Sequence, residues 1–164
     1  METPKTNLTF LCKVAFFGDC EVGKTSVAHR LLFDSFDPNY RPTIGVRVHE
    51  IDYQTNWTDD QLMRFRILDF SGQEIDEDRL DQLNDCFHCI IFYDLTSKTS
   101  YNNAINRWLE YAKRNMRNPK VLFVGTKNDI CSSNIDIDYG HIAISAKTET
   151  SKELERIFHE LLKE

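Results

Sequence analysis

The sequence has no excess of positive charge: 20 Lys and Arg stand against 26 Asp and Glu, a net charge of −6. That argues against a nucleic-acid or membrane-surface binder working through a basic field. No apolar run approaches the roughly 18 residues of a membrane span. The first, around Phe10–Phe17, contains Lys13 and is only strand length, so no signal peptide is expected either. The five cysteines, at 12, 20, 86, 89 and 131, show no paired spacing. A disulfide framework is therefore not expected, and a reducing compartment is. Cys86-Phe87-His88-Cys89 opens a strand-like run and has no second ligand pair elsewhere, so zinc is not expected. The second residue is Glu2 and the chain closes LLKE, so neither myristoylation nor prenylation is legible. Internal repeats, linkers and low-complexity tracts are absent as well.

What is present is an alternation of strand-like and helix-like segments over 164 residues, enough for one domain with a full core. Residues 1–7 are expected to be a loose N-terminus and 8–164 a single domain. Strands are expected at Leu11–Phe17, Val46–Gln54, Leu62–Phe70, Cys89–Tyr93, Val121–Gly125 and Ile142–Ile144, the second and third as a hairpin around TNWTDD. Val27, Ala28, Leu31 and Leu32 recur at helical spacing, as do Ile105, Trp108, Leu109 and Ala112. Leu154, Ile157, Phe158, Leu161 and Leu162 give a closing amphipathic helix. The acidic run from Glu74 to Asp81 reads as a solvated helix face. Near-continuous apolar strands separated by helices predict an α/β fold, a mostly parallel six-stranded sheet with helices on both faces.

Each apolar run ends in a polar cluster: GDCEVGKTS, LDFSGQE, YDLT, TKND and SAK. Ligands of open α/β sheets sit outside the carboxyl ends of the strands, so the clusters predict one site there. Gly18 to Thr25 fits GxxxxGK[ST] between a strand and a helix. Such a loop turns backbone N–H groups onto phosphate oxygens, at a helix N-terminus whose dipole favours negative charge. The expected phosphate-binding set is Gly18, Glu21, Val22, Gly23, Lys24, Thr25 and Ser26. Lys24 would place its charge on the β- and γ-phosphates, and Thr25 its hydroxyl on Mg²⁺. The base is read from the other clusters. Guanine offers two donors on one edge, which the Asp129 carboxylate can accept together, and a carbonyl to which the Ala146 N–H can donate. Adenine offers that carboxylate no such pair and would leave it unsatisfied.

With these motifs in order, the chain resembles the Ras superfamily of small GTPases from Leu8 onward, most closely the Rab branch. The resemblance implies a small-GTPase domain using Mg²⁺, with GTP and GDP as substrate and product. Arg41-Pro42-Thr43-Ile44-Gly45 looks like the first switch, with Thr43 completing the Mg²⁺ sphere. Phe36 and Tyr40 match the aromatics that cover base and phosphates. Asp69-Phe70-Ser71-Gly72-Gln73-Glu74 resembles DTAGQE. By that match Asp69 holds Mg²⁺ through water, the Gly72 N–H senses the γ-phosphate, and Gln73 orients the attacking water, with Lys24 as its catalytic companion. Thr126 stands for the usual Asn beside Lys127, and Ser145 and Lys147 brace the base pocket. The function implied is a switch cycling between GTP and GDP with slow hydrolysis, in membrane traffic or signalling. Its implied partners are an exchange factor, a GTPase-activating protein and effectors. The alternative is a scaffold that keeps its nucleotide uncleaved. The expected location is the cytoplasm, or the cytosolic face of a membrane if a lipidated tail is missing from this stretch.

Three departures stand out. Glu21 occupies a loop position more often small, and its carboxylate should face solvent, because it would repel polyphosphate. Val48 and Leu68 stand where Rab proteins usually carry aromatics, and Ile75-Asp76-Glu77-Asp78 replaces the usual Arg-aromatic segment. Only 11 residues (130–140) separate Asp129 from His141, where relatives have room for a helix. Ile135, Ile137 and Tyr139 alternate with Asp136 and Asp138, so an extended or single-turn crossing is expected, with the helix shortened or absent.

Overall fold

In the computed structural model, residues 8–39, 41–54, 61–73, 75–131 and 141–163 are described. The loose N-terminus, Tyr40, the hairpin turn with Trp57, Glu74 and the crossing residues 132–140 therefore lie outside the described residues.

Six strands form one sheet in the order β2-β3-β1-β4-β5-β6. They are β1 (Leu8–Phe17), β2 (Val46–Gln54), β3 (Gln61–Phe70), β4 (His88–Asp94), β5 (Lys120–Thr126) and β6 (His141–Ala143). Only β2 and β3 run antiparallel, in the register Val46 opposite Phe70 to Gln54 opposite Leu62. Every other neighbouring pair is parallel. The α/β fold with a mostly parallel sheet is thus as the alternating pattern predicts. The helices are α1 (Lys24–Phe33), α2 (Lys98–Asn103), α3 (Leu109–Asn115), α4 (Ser151–Leu154) and α5 (Arg156–Leu162). A π-helical turn, Ala104–Trp108, joins α2 to α3 into one rod.

Period-two alternation divides the core in two. Val14, Phe16, Phe65, Ile67, Ile90, Phe92 and Val124 face one side, where α1, α4 and α5 bring Val27, Ala28, Leu31, Leu154, Ile157 and Phe158. Phe65 and Phe158 stack there at 4.1 Å between ring centroids. Their neighbours Ala15, Phe17, Leu68, Phe70, Ile91 and Tyr93 face the other side, onto Tyr101, Ala104, Trp108 and Ala112 of the rod. Continuous apolar strands are what two covered faces require. The acidic stretch becomes a 3₁₀ helix, Glu77–Leu83, anchored by Leu83 with Glu77, Asp78 and Asp81 exposed. Cys12, Cys86 and Cys89 are buried and unpaired, while Cys20 is exposed. Burial pushes the Cys12 thiol up to about 11, so it stays protonated and unreactive.

Candidate functional site

β1 ends where its chain must turn sharply under the sheet edge. Gly18 takes φ 141°, and a Cβ there would lie 2.4 Å from the Phe92 carbonyl oxygen. Only glycine fits such a contact at that dihedral. The loop continues through exposed Cys20 and Glu21 and buried Val22, and Gly23 at φ 97° opens α1. Glu21 itself sits at φ 62°, a left-handed conformation that costs a residue with a Cβ. Glu21 is exposed and also lines the cavity described below.

Lys24, 5% exposed, donates from Nζ to the carbonyls of Gly18 at 2.8 Å and Asp19 at 2.7 Å. Burial lowers its pKa to about 8, against the opposing pull of Asp69. Among the described residues this buried ammonium donates only to carbonyls and makes no direct ion pair, so its environment favours a nearby negative charge.

In the first turn of α1 the Thr25 hydroxyl donates to Asp69 Oδ2 at 2.6 Å and lies 2.8 Å from the Thr43 hydroxyl. Asp69 is fully buried at the end of β3, and burial raises its pKa. Its Oδ1 is also buried and has no hydrogen-bond partner among the described residues. A buried carboxylate oxygen left bare beside two threonine hydroxyls is a hard-oxygen donor set, and it fits Mg²⁺ directly or through water. The segments that resemble the two switches meet beside this cluster. Ser71 N–H donates to the Gly45 carbonyl at 2.8 Å, and a Cβ on Gly45 (φ 73°) would lie 2.5 Å from Arg79 Cζ.

The other end of the site is built by the loops after β5 and β6. Lys127, at φ 59°, extends its ammonium to Asp94 Oδ2 at 2.5 Å. Asp129 is exposed and accepts a 2.7 Å hydrogen bond from Ser145 Oγ, which fixes its carboxylate at the cavity wall. Ser145 is held in turn, donating its N–H to Glu149 Oε1 at 2.8 Å, and the other Glu149 oxygen is paired with Arg156. Arg30 reaches across from α1 to donate to the carbonyls of Ala146 at 2.8 Å and Lys147 at 3.1 Å.

A single cavity of about 460 Å³ joins both ends. Of the residues expected at the site, Glu21, Gly23, Lys24, Thr25, Ser26, Phe36, Thr43, Gly72, Gln73, Thr126, Lys127, Asp129, Ser145, Ala146 and Lys147 line it. Gly18, Val22 and Asp69 lie behind its wall, where they shape the loop and back Thr25. Thr126 lines the cavity but commits its hydroxyl elsewhere, 2.5 Å from the Val22 carbonyl and 3.1 Å from that of Tyr93. It ties the phosphate loop to the sheet and so positions one half of the site for the other. Sequence reasoning missed Arg30 and Glu149, which act through tertiary contact and stand in no motif whose local spacing signals them; Asp94 it placed at the site edge in the YDLT cluster, without its pairing to Lys127.

A parallel sheet whose carboxyl edge carries a GxxxxGKT loop, a Thr–Thr–Asp oxygen cluster and a separate Lys-x-Asp pocket defines a Ras-like P-loop GTPase domain. Residues 13–129 match the family model described as Roc, Ras of Complex, Roc domain of DAPkinase. The match takes in most of the chain, from β1 through Asp129, and the chain belongs to this family of Ras-like GTPases.

Proposed function

We propose that this protein is a GTP-dependent molecular switch, cycling between GTP and GDP with slow intrinsic hydrolysis. The observation that carries the reading is the shared cavity, with Lys24 and the Thr25–Thr43–Asp69 oxygens at one end and Asp129 with Ala146 at the other. A ligand filling both ends must present polyphosphate and a base with two adjacent donors. GTP has that chemistry.

In this reading Lys24 and the N–H groups of Glu21 to Ser26 bind the phosphates, and Gly72 adds its own N–H. Thr25, Thr43 and Asp69 hold Mg²⁺, which would neutralise charge on the β- and γ-phosphates. Gln73, exposed on the cavity wall, orients the attacking water. Asp129 and Ala146 read guanine, Phe36 covers it, and Lys127, Ser145 and Lys147 hold the pocket in shape. Loss of the γ-phosphate releases Thr43 and Gly72, so partners can read two states. Tyr40, outside the described residues, would cover the phosphates. An exchange factor, an activating protein and effectors are the partner classes that this cycle needs, in membrane traffic or signalling on the cytosolic side. No helix among the described residues is long and apolar enough to cross a membrane. The RPTIG segment favours Rab-like partner reading. Val48, half-exposed on β2, instead gives this chain its own effector surface, whereas Leu68 is buried in the core and takes no part in it.

A second reading, a scaffold that keeps GTP uncleaved, draws on Glu21, whose carboxylate stands at the cavity rim where a small residue is usual. The nucleotide released by heat from purified protein, followed with Mg²⁺ over hours, separates the two. GDP with slow GTP turnover supports the switch, persistent GTP supports the scaffold, and ATP or an empty site removes both.

A further inference from the structure

Asp19, inside the phosphate loop, turns its side chain away from the cavity and into the helical rod. Asn103 Nδ2 donates to its Oδ2 at 2.7 Å and Trp108 Nε1 donates to its Oδ1 at 2.8 Å. Residues five apart on a regular α-helix point about 140° away from each other. The π-helical turn between them, with its i to i+5 bonding, brings both donors to one face. The rod is thereby bolted to the phosphate loop at the point of its irregularity.

Arg107 lies on that bolt. Its guanidinium is 4.5 Å from the centroid of the Trp108 ring and one nitrogen is 3.9 Å from Asp19 Oδ1. Another nitrogen donates to the carbonyl oxygen of Gln73 at 3.2 Å. The same segment packs directly on the phosphate loop, where a Cβ on Gly72 would lie 2.2 Å from the Cys20 nitrogen. Residues 72 and 73 therefore touch both the backbone of the phosphate loop and a guanidinium fixed by the rod.

We infer that Arg107 is a positioning residue for Gln73. It holds the glutamine's backbone at a set distance from the phosphate loop and couples the exposed face of the rod to the second switch. The ring beneath it and the carboxylate beside it limit the guanidinium to few orientations, so its bond to Gln73 acts as a strut. A protein pressing on the rod near Arg107 would withdraw that strut without touching the nucleotide. The inference deepens the GTPase reading and rests on it for the reaction that Gln73 serves.

The test compares wild-type protein with Arg107→Ala and with Arg114→Ala, a change at an exposed site of α3. Single-turnover GTP hydrolysis, GDP affinity and amide hydrogen exchange across residues 71–73 are measured for each. Arg107→Ala is expected to slow hydrolysis about tenfold, since small misplacements of a catalytic group cost that much or more. Exchange at 71–73 should rise at least fivefold while GDP affinity stays within twofold, and Arg114→Ala should change none of the three. Unchanged exchange, or faster exchange with an unchanged rate, overturns the inference. So does a parallel loss of GDP affinity, which would mean that the phosphate loop itself had given way. If the wild-type protein hydrolyses no GTP, the hydrolysis reading fails, while exchange at 71–73 still decides whether Arg107 holds this segment.

Discussion

The Thr25 and Thr43 hydroxyls lie 2.8 Å apart although they come from the first turn of α1 and the loop before β2. Thr25 also donates to Asp69, whose second oxygen has no partner among the described residues. The loop carrying Thr43 therefore reaches the proposed Mg²⁺ site through one hydroxyl. Thr25→Ala removes a donor needed with either nucleotide, and should raise the Mg²⁺ needed to retain GDP at least tenfold. Thr43→Ala should leave GDP retention within twofold and speed GTP release severalfold. Dissociation of fluorescent GDP and GTP over a Mg²⁺ titration checks this, and equal effects of Thr43→Ala on the two nucleotides would refute the assignment. Chelating Mg²⁺ should speed GDP release from the wild-type protein and have less effect on Thr25→Ala.

Lys24 provides a prediction in pH. Burial depresses its pKa in the free protein to about 8, so above that pH the free site holds a neutral amine. Polyphosphate stabilises the charged form and moves the pKa upward. Binding must then take up a proton between about pH 8 and the raised pKa, and no proton on this account well below pH 8. Affinity should fall as pH rises through this window, by up to about tenfold per unit. Calorimetry at pH 9 in buffers of different ionisation enthalpy should show uptake approaching one proton, and at pH 6.5 none from this group. Lys24→Gln should abolish the uptake at pH 9 along with most of the affinity.

Arg30 braces the base loop from a helix that carries no base-reading motif. Its two bonds to the Ala146 and Lys147 carbonyls come from a charged donor, worth about 1–2 kcal/mol together at a partly exposed site. Arg30→Ala should therefore speed GDP dissociation about tenfold and leave the single-turnover hydrolysis rate unchanged, because the phosphate end is untouched. A matching loss of hydrolysis would show that the base loop and the reacting end are not independent.

The contrast between Arg30 and Lys24 shows where sequence reading reaches. Lys24 is legible because the chemistry of a phosphate loop fixes its spacing from Gly18 and Gly23 along a single turn. The strands were legible for a related reason: burial on both faces demands the unbroken apolar runs of β1, β4 and β5. Arg30 and Arg107 act on carbonyls, which any residue supplies, so their partners leave no mark in the chain. Asp19 was visible only as a variable position of GxxxxGKT, and its bonds to Asn103 and Trp108 depend on a π-helical turn that periodicity does not announce. The 3₁₀ segment Glu77–Leu83 was readable as an exposed acidic face but not as a turn type, since charge pattern reports exposure and not hydrogen-bond register.

Glu21 combines two effects that separate variants can divide. Its φ of 62° carries a strain of about 1–2 kcal/mol for a residue with a Cβ, while its carboxylate stands exposed at the cavity rim. Glu21→Gly removes both strain and charge, whereas Glu21→Gln removes the charge alone. Glycine's greater freedom in the unfolded chain offsets part of the relief, so Glu21→Gly should raise the melting temperature by only about 2 °C, with Glu21→Gln near zero. Water screens the exposed charge, so both variants should bind GTP less than tenfold more tightly than wild type. A gain of tenfold or more in Glu21→Gln would show that the carboxylate bears on the phosphates, and the scaffold reading would gain its strongest support. A gain confined to Glu21→Gly would instead place the effect in the backbone, where the loop closes around the ligand more readily once the left-handed residue has no Cβ.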